Sequence, residues 1–237
     1  MKTKVFLLLS LSVLLLGTTT TRADETRTDA VERLQSATQV LHEILNTPDK
    51  GIPKEVLKGA RCVAVVPRLI KGGFILAGKH GRGVATCELP NHTWSSPAFF
   101  VISGGSWGLQ IGVQSVDLVL MIMNDEGMRH LLGDKFEISG TAAAAVGPVG
   151  RDASAGIDWK VSTQMLTYSR SRGVFAGIDL GGSVVERDKD STVAFYGKDL
   201  PTREILDGKV SAPADARPFV AEVRRAELRA EGRAKGY

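Results

Sequence analysis

The chain has 237 residues, 43% of them hydrophobic, with 30 Lys+Arg against 26 Asp+Glu and a formal net charge of +4. Three of the basic residues, Lys2, Lys4 and Arg22, sit in a leader without an acid, so the chain after Ala23 holds 27 basic and 26 acidic residues. That balance excludes a globally basic nucleic-acid binder, and the remaining length, undivided by a polar or Pro-rich linker, suits one domain with a proper core.

The chain opens on Met1-Lys2-Thr3-Lys4, followed by an apolar run from Val5 to Leu16 that only Ser10 and Ser12 interrupt. A short positive start and a core of this length predict a secretory signal peptide over residues 1–23. Thr21 and Ala23 are small residues at the positions a signal peptidase reads, which places cleavage before Asp24. A retained anchor would need about 20 apolar residues to span a bilayer, and the run is shorter. Gly17 has no cysteine near it to accept a lipid. The expectation is an exported protein, periplasmic or secreted.

Val31, Leu34, Thr38, Leu41 and Leu45 recur at helical spacing, and Pro48 and Gly51 stop the helix they predict. A short second helix starts at Pro53. The pattern then turns to β: Arg61–Val66 is a strand, and Phe74–Gly78 and Gly83–Leu89 flank Lys79-His80-Gly81-Arg82 as a hairpin tip. Ala98–Ser103, Leu109–Gln114 and Leu118–Met123 continue it. Asn124 caps a helical turn through Leu132. The β pattern returns at Phe136–Val146, Ala153–Tyr168, Val174–Asp179 and Ser183–Arg187, and short helical patterns at Thr202–Asp207 and Ala214–Lys235 close the chain. Fourteen of the 26 glycines fall between Gly104 and Gly182, which predicts bends and close backbone approaches in a strongly curved, barrel-like sheet. The fold class is α+β, with a mainly antiparallel sheet flanked by N-terminal and C-terminal helices. Residues 24–210 form the domain and 211–237 a helical tail.

Cys62 and Cys87 are an even pair, which an oxidising compartment would favour as a disulfide; two buried free thiols are the other reading. Neither cysteine nor any of the four histidines shows metal-ligand spacing, so no metal or other cofactor is expected. Gly104-Gly105-Ser106-Trp107-Gly108 matches the G-x-S-x-G elbow of serine hydrolases, but strand-like residues follow where a helix is required. His130 is the only histidine beyond Ser106, and Asp125 lies just five residues before it, which makes a hydrolase remote. Gly147-Pro148-Val149-Gly150-Arg151 lacks the Lys-Ser/Thr ending of a phosphate loop.

Charge patterning is the informative feature. From Val56 to Cys87 stand Lys58, Arg61, Arg68, Lys71, Lys79 and Arg82 with no acid; from Glu88 to Gly147 two basic residues face six acids. Near an anionic membrane each basic residue contributes about 1 kcal/mol of attraction. A rim neutralised in three dimensions by the acidic stretch is the alternative.

The same residues carry a resemblance. Ala64-Val65-Val66-Pro67, Lys71-Gly72-Gly73-Phe74 and Gly81-Arg82-Gly83-Val84 open it, and Trp94-Ser95-Ser96-Pro97-Ala98 and Gly108-Leu109-Gln110-Ile111-Gly112, followed by Asp117, continue it. Ala145 to Arg151 and Tyr168 to Gly177 close it. Over residues 52–197 the chain resembles the SYLF domain family. The resemblance implies a non-enzymatic lipid-binding module, whose eukaryotic members bind phosphoinositides and in some cases actin. In an exported setting actin is not expected, and the partner class becomes an anionic phospholipid surface. The expected lipid-binding residues are Lys71, Lys79 and Arg82, with Arg170 and Arg172 beside them. An envelope protein partner, without lipid, is the alternative.

Overall fold

A computed structural model describes residues 25–47, 51–73, 76–107, 112–138, 144–148, 163–171, 174–176, 178 and 180–233. Helix α1, Arg27–Leu45, begins at a reciprocal cap: Asp29 N donates to Thr26 Oγ1 at 3.2 Å, and Thr26 N donates to Asp29 Oδ2 at 2.9 Å. Its buried face is Ala30, Leu34, Ala37, Val40, Leu41 and Ile44. The expected stripe is therefore turned slightly, with Val31 and Leu45 only partly buried, because the two alanines let the helix lie close to the sheet. Helix α2, Lys54–Gly59, follows Pro53.

Among the described residues nine strands follow: β1 Cys62–Gly73, β2 Leu76–Cys87, β3 Ala98–Trp107, β4 Gly112–Ile122, β5 Lys135–Ile138, β6 Ala144–Val146, β7 Met165–Ser171, β8 Val174–Ala176 and β9 Ser183–Arg187. They form a single curled, half-barrel sheet in the order β5-β9-β3-β2-β1-β4-β7-β6, with β8 on β7. Every pairing is antiparallel except β6 with β7. Helix α3, Asp125–Leu132, stands between β4 and β5 with Asn124 Oδ1 accepting from Gly127 N at 2.9 Å. After β9 come α4, Lys189–Tyr196, then α5, Thr202–Leu206, and α6, Arg217–Ala230. The α+β class and the curved, mainly antiparallel sheet agree with the sequence reading.

One expectation is corrected. Lys79-His80-Gly81-Arg82 is not a hairpin tip; all four lie inside β2, which runs unbroken for 12 residues beside β1 and β3. The glycines there answer close approach. A Cβ on Gly81 would come within 2.6 Å of Val66 Cγ1, and one on Gly83 within 2.5 Å of Phe100 Cζ and 2.7 Å of the Val65 carbonyl. Strand β1 ends instead at Gly73 and β2 begins at Leu76. Helix α4 was not read from sequence, although Asp188 caps it and Gly197, in the left-handed region at φ 74°, ends it.

Alternation along the strands builds two cores. Val63, Val65, Val84, Phe99, Val119 and Met121 face α1 and α6, whose Phe219 and Val223 share that core with Leu34 and Leu41. Ala64, Val66, Ala85, Phe100, Leu118 and Leu120 face the other way, towards Leu131, Leu132, Val185 and Leu206. Burial on both faces explains why Cys62–Val66 reads as an unbroken apolar run. Trp94 Nε1 donates to the buried Glu227 Oε2 at 2.8 Å and ties α6 to the segment before β3.

Candidate functional site

The expected basic residues do not converge on one patch. Lys71 on β1 and Lys79 on β2 are direct cross-strand partners. Lys79 is only 6% exposed and is engaged within the chain, whereas Lys71 is half-buried. Arg82 lies on the opposite face of β2, where its Nε meets Asp188 Oδ2 at 3.0 Å and its Nη1 bonds Glu25. Arg33 of α1 completes this cluster, with Nη1 at 3.2 Å from Asp188 Oδ2 and 2.7 Å from Ser191 Oγ and with Nη2 on Glu25. Two guanidiniums and two carboxylates thus neutralise one another under the start of α1. Burial pushes the Arg33 guanidinium down from its ordinary value, and Glu25 and Asp188 oppose that shift.

Arg170 on β7 is likewise engaged. Its guanidinium bonds Glu43 near the end of α1 and stands 3.4 Å from Asp117, its cross-strand partner on β4. Arg172 lies outside the described residues. Cys62 and Cys87 are cross-strand partners on β1 and β2 and form a disulfide.

Glu25 and Asp188, both missed from sequence, are what remove Arg82 from the free cations. The only legible signal was Asp188 as a helix cap. Of the basic residues between Val56 and Cys87, Arg61 stands 3.7 Å from Asp125, while the side chains of Arg68 and Lys71 have no carboxylate partner among the described residues. Arg68 is exposed at the irregularity of β1, with φ at 54° and its N–H donating to Asp117 Oδ1 at 3.1 Å.

Among the described residues, one end of the sheet face that carries α1 is left uncovered. Along β2, Val84 is core, Arg82 joins the ion cluster, and His80 and Gly78 are exposed. Along β4 the same order holds: Val119 is core, Asp117 is paired, and Ser115 and Val113 are exposed. Ile70 on β1 stands between His80 and Ser115 in the register. It is 50% exposed and Val113 80%.

Ser106 does not stand on a nucleophile elbow. It lies within the β3 ladder opposite Ala77, where an elbow would require a sharp turn, and β4 begins at Gly112. Asp125 and His130 both sit on α3, the former near Arg61 and the latter's ring 5.7 Å from that of Phe136. An open groove of 540 Å³ lies beside Cys87, lined by Leu89, Pro90, Met128, Leu132 and Leu206. Its charged neighbours pair locally, as in Glu88 with His92 at 2.7 Å, and present no convergent set.

The sheet, from β1 to β9, and α4 after it lie within the span 52–197 in which the sequence resemblance lies. The Ysc84 family model, described as "Las17-binding protein actin regulator", matches residues 103–226, more than half of the chain. The chain belongs to the Ysc84 (SYLF) family. It is 36% identical over 172 residues to the SH3 domain-containing YSC84-like protein 1 of Rattus norvegicus, covering 72% of this chain and 50% of that protein. The protein of the same description from Homo sapiens is 34% identical over 172 residues, with the same coverage. Protein YSC84 of Saccharomyces cerevisiae is 31% identical over 175 residues, covering 73% of this chain and 37% of the yeast protein. This Ysc84-family chain therefore spans about half the length, or less, of these relatives. Their names describe SH3-containing and actin-regulator-type proteins and no catalytic activity.

Proposed function

We propose that this protein is an exported, non-enzymatic module that binds anionic phospholipid surfaces peripherally. One observation carries the reading. The acid-free stretch Val56–Cys87 contains β1 and β2 side by side, and the side chains of Arg68 and Lys71 within it have no carboxylate partner among the described residues. Arg82 and Arg170 are already neutralised, which shifts the weight from the five residues first considered to Lys71 and Arg68.

Export is supported by the composition of residues 1–23 and by a disulfide, which an oxidising compartment maintains. Las17 and actin belong to the description of the family; an exported chain would not meet them, which leaves general anionic phospholipid as the ligand class. The test is co-sedimentation with vesicles of phosphatidylcholine alone or mixed with phosphatidylglycerol, at low and high salt. Binding is expected only to the anionic vesicles and weaker at high salt, because screening shortens from about 10 Å at 0.1 M to about 3 Å at 1 M. No binding to anionic vesicles at low salt overturns the proposal. The exposed Ile70 and Val113 favour one alternative, an envelope protein partner, which predicts capture of that protein and no vesicle binding.

A further inference from the structure

We infer that the uncovered end of the sheet, centred on Ile70 and Val113, is the surface that seats on the bilayer. This rests on the lipid reading above and assigns it a place. The strands β3, β2, β1 and β4 are consecutive in the sheet, and the register brings Ile70, His80 and Ser115 abreast, with Val113 beside Gly72. A Cβ built on Gly78 or Gly105, which are also partners on this face, would meet nothing within 4 Å, so none of the described residues covers them. The surface is therefore short in side chains and carries two exposed aliphatic groups.

Its occupant follows from charge. From Arg68 to Cys87 and from Val101 to Val116 the sequence holds no Asp or Glu, while Arg68 and Lys71 stand at this end, Lys71 on the opposite face of β1 from Ile70. A second copy docked here face to face would set Arg68 near its own kind, with no acid on this stretch to receive it. An anionic bilayer accepts the cations at its headgroups and the two aliphatic side chains just below them. The ion clusters of Arg82 and Arg170 mark where the α1 layer stops, one step before the uncovered residues on β2 and β4. They brace α1 and leave the tip to the membrane.

The experiment compares the full chain with I70D/V113D for binding to phosphatidylglycerol-containing vesicles. It also compares V113C and V193C, each labelled with an environment-sensitive fluorophore; Val193 is an exposed aliphatic residue on α4 and serves as the control. Expected are a loss of about tenfold or more in vesicle affinity for the folded double variant, and a blue shift on vesicles at position 113 only. Unchanged binding of the double variant, or no shift at position 113, overturns this surface while leaving lipid binding intact. If the full chain binds no anionic vesicle, the surface and the lipid reading fall together. Lipid-independent dimers that the double variant abolishes would assign the face to a second copy and overturn it as well.

Discussion

Arg82 and Asp188 are 106 residues apart in the chain and meet with Arg82 Nε 3.0 Å from Asp188 Oδ2. Asp188 is almost wholly buried, caps α4 through the Ser191 N–H at 3.1 Å, and also holds Arg33. The contact joins β2, α4 and α1, so the residue that looked in sequence like a solvent-facing cation is a structural tie. The expected effect of Arg82→Glu is therefore loss of fold. It would set a third carboxylate against Glu25 and Asp188, and urea denaturation should show a loss of about 3 kcal/mol or more. Arg82→Ala should cost less, about 1–2 kcal/mol, because its side chain is one-third exposed. Lys71→Glu should leave the urea midpoint within about 0.5 kcal/mol of wild type. A neutral outcome for Arg82→Glu would show that the cluster does not brace the fold.

Glycines in β2 separate into two kinds. Gly83→Ala places a methyl against Phe100 and the Val65 carbonyl, and overpacking there should cost about 1–3 kcal/mol in thermal or urea unfolding. Gly78→Ala meets nothing and sits in a strand, so it should be neutral or stabilising by about 0.5 kcal/mol. If Lys79–Arg82 were a free tip, both substitutions would be tolerated alike.

The disulfide joins β1 to β2 across 25 residues of sequence. Loop-closure entropy for that length gives about 3 kcal/mol, which the Cys62→Ala/Cys87→Ala variant should lose in reversible unfolding. Both cysteines are buried, so the folded protein should resist modest reductant and lose the bond only once denatured. Equal reduction rates with and without urea would contradict this.

Three carboxyls are held below their ordinary range: Asp29 by the Thr26 hydroxyl and backbone, Glu43 by Gln39 and then Arg170, and Asp199 by Arg187 and Lys189. A carboxyl depressed in the folded state binds its proton more readily when unfolded. Its contribution is present above the ordinary carboxylate range and disappears as pH falls through the folded value. Stability measured by urea midpoint should therefore fall as pH drops below about 4, and Glu43→Gln should make that fall shallower. An acid limb identical in Glu43→Gln would remove Glu43 from the account.

Several elements were legible because their signals are local. Thr26 and Asn124 announce helix starts by hydrogen-bonding the next turn, and the β-branched run before Pro67 announces β1. The turn in β2 was misread because Gly81 and Gly83 carry the same mark whether they bend the chain or admit a neighbour. Only the presence of Val66 and Phe100 beside them distinguishes the two cases. Cys62 and Cys87 could be named as a pair, but the register that sets them opposite one another belongs to the sheet.

The sequence by itself determined the family, the α+β class, the principal helices and the acid-free basic stretch. Each depends on residue order, on composition or on periods no longer than a helical turn or two. Which of the basic residues stays free was decided only by the tertiary structure. Neutralisation acts through space at about 3–4 Å, and Arg82 and Arg170 find their acids 57 to 127 residues away at Glu25, Asp188 and Glu43. The exposure of Ile70 and Val113 was settled in the same way, by where α1 ends over the sheet.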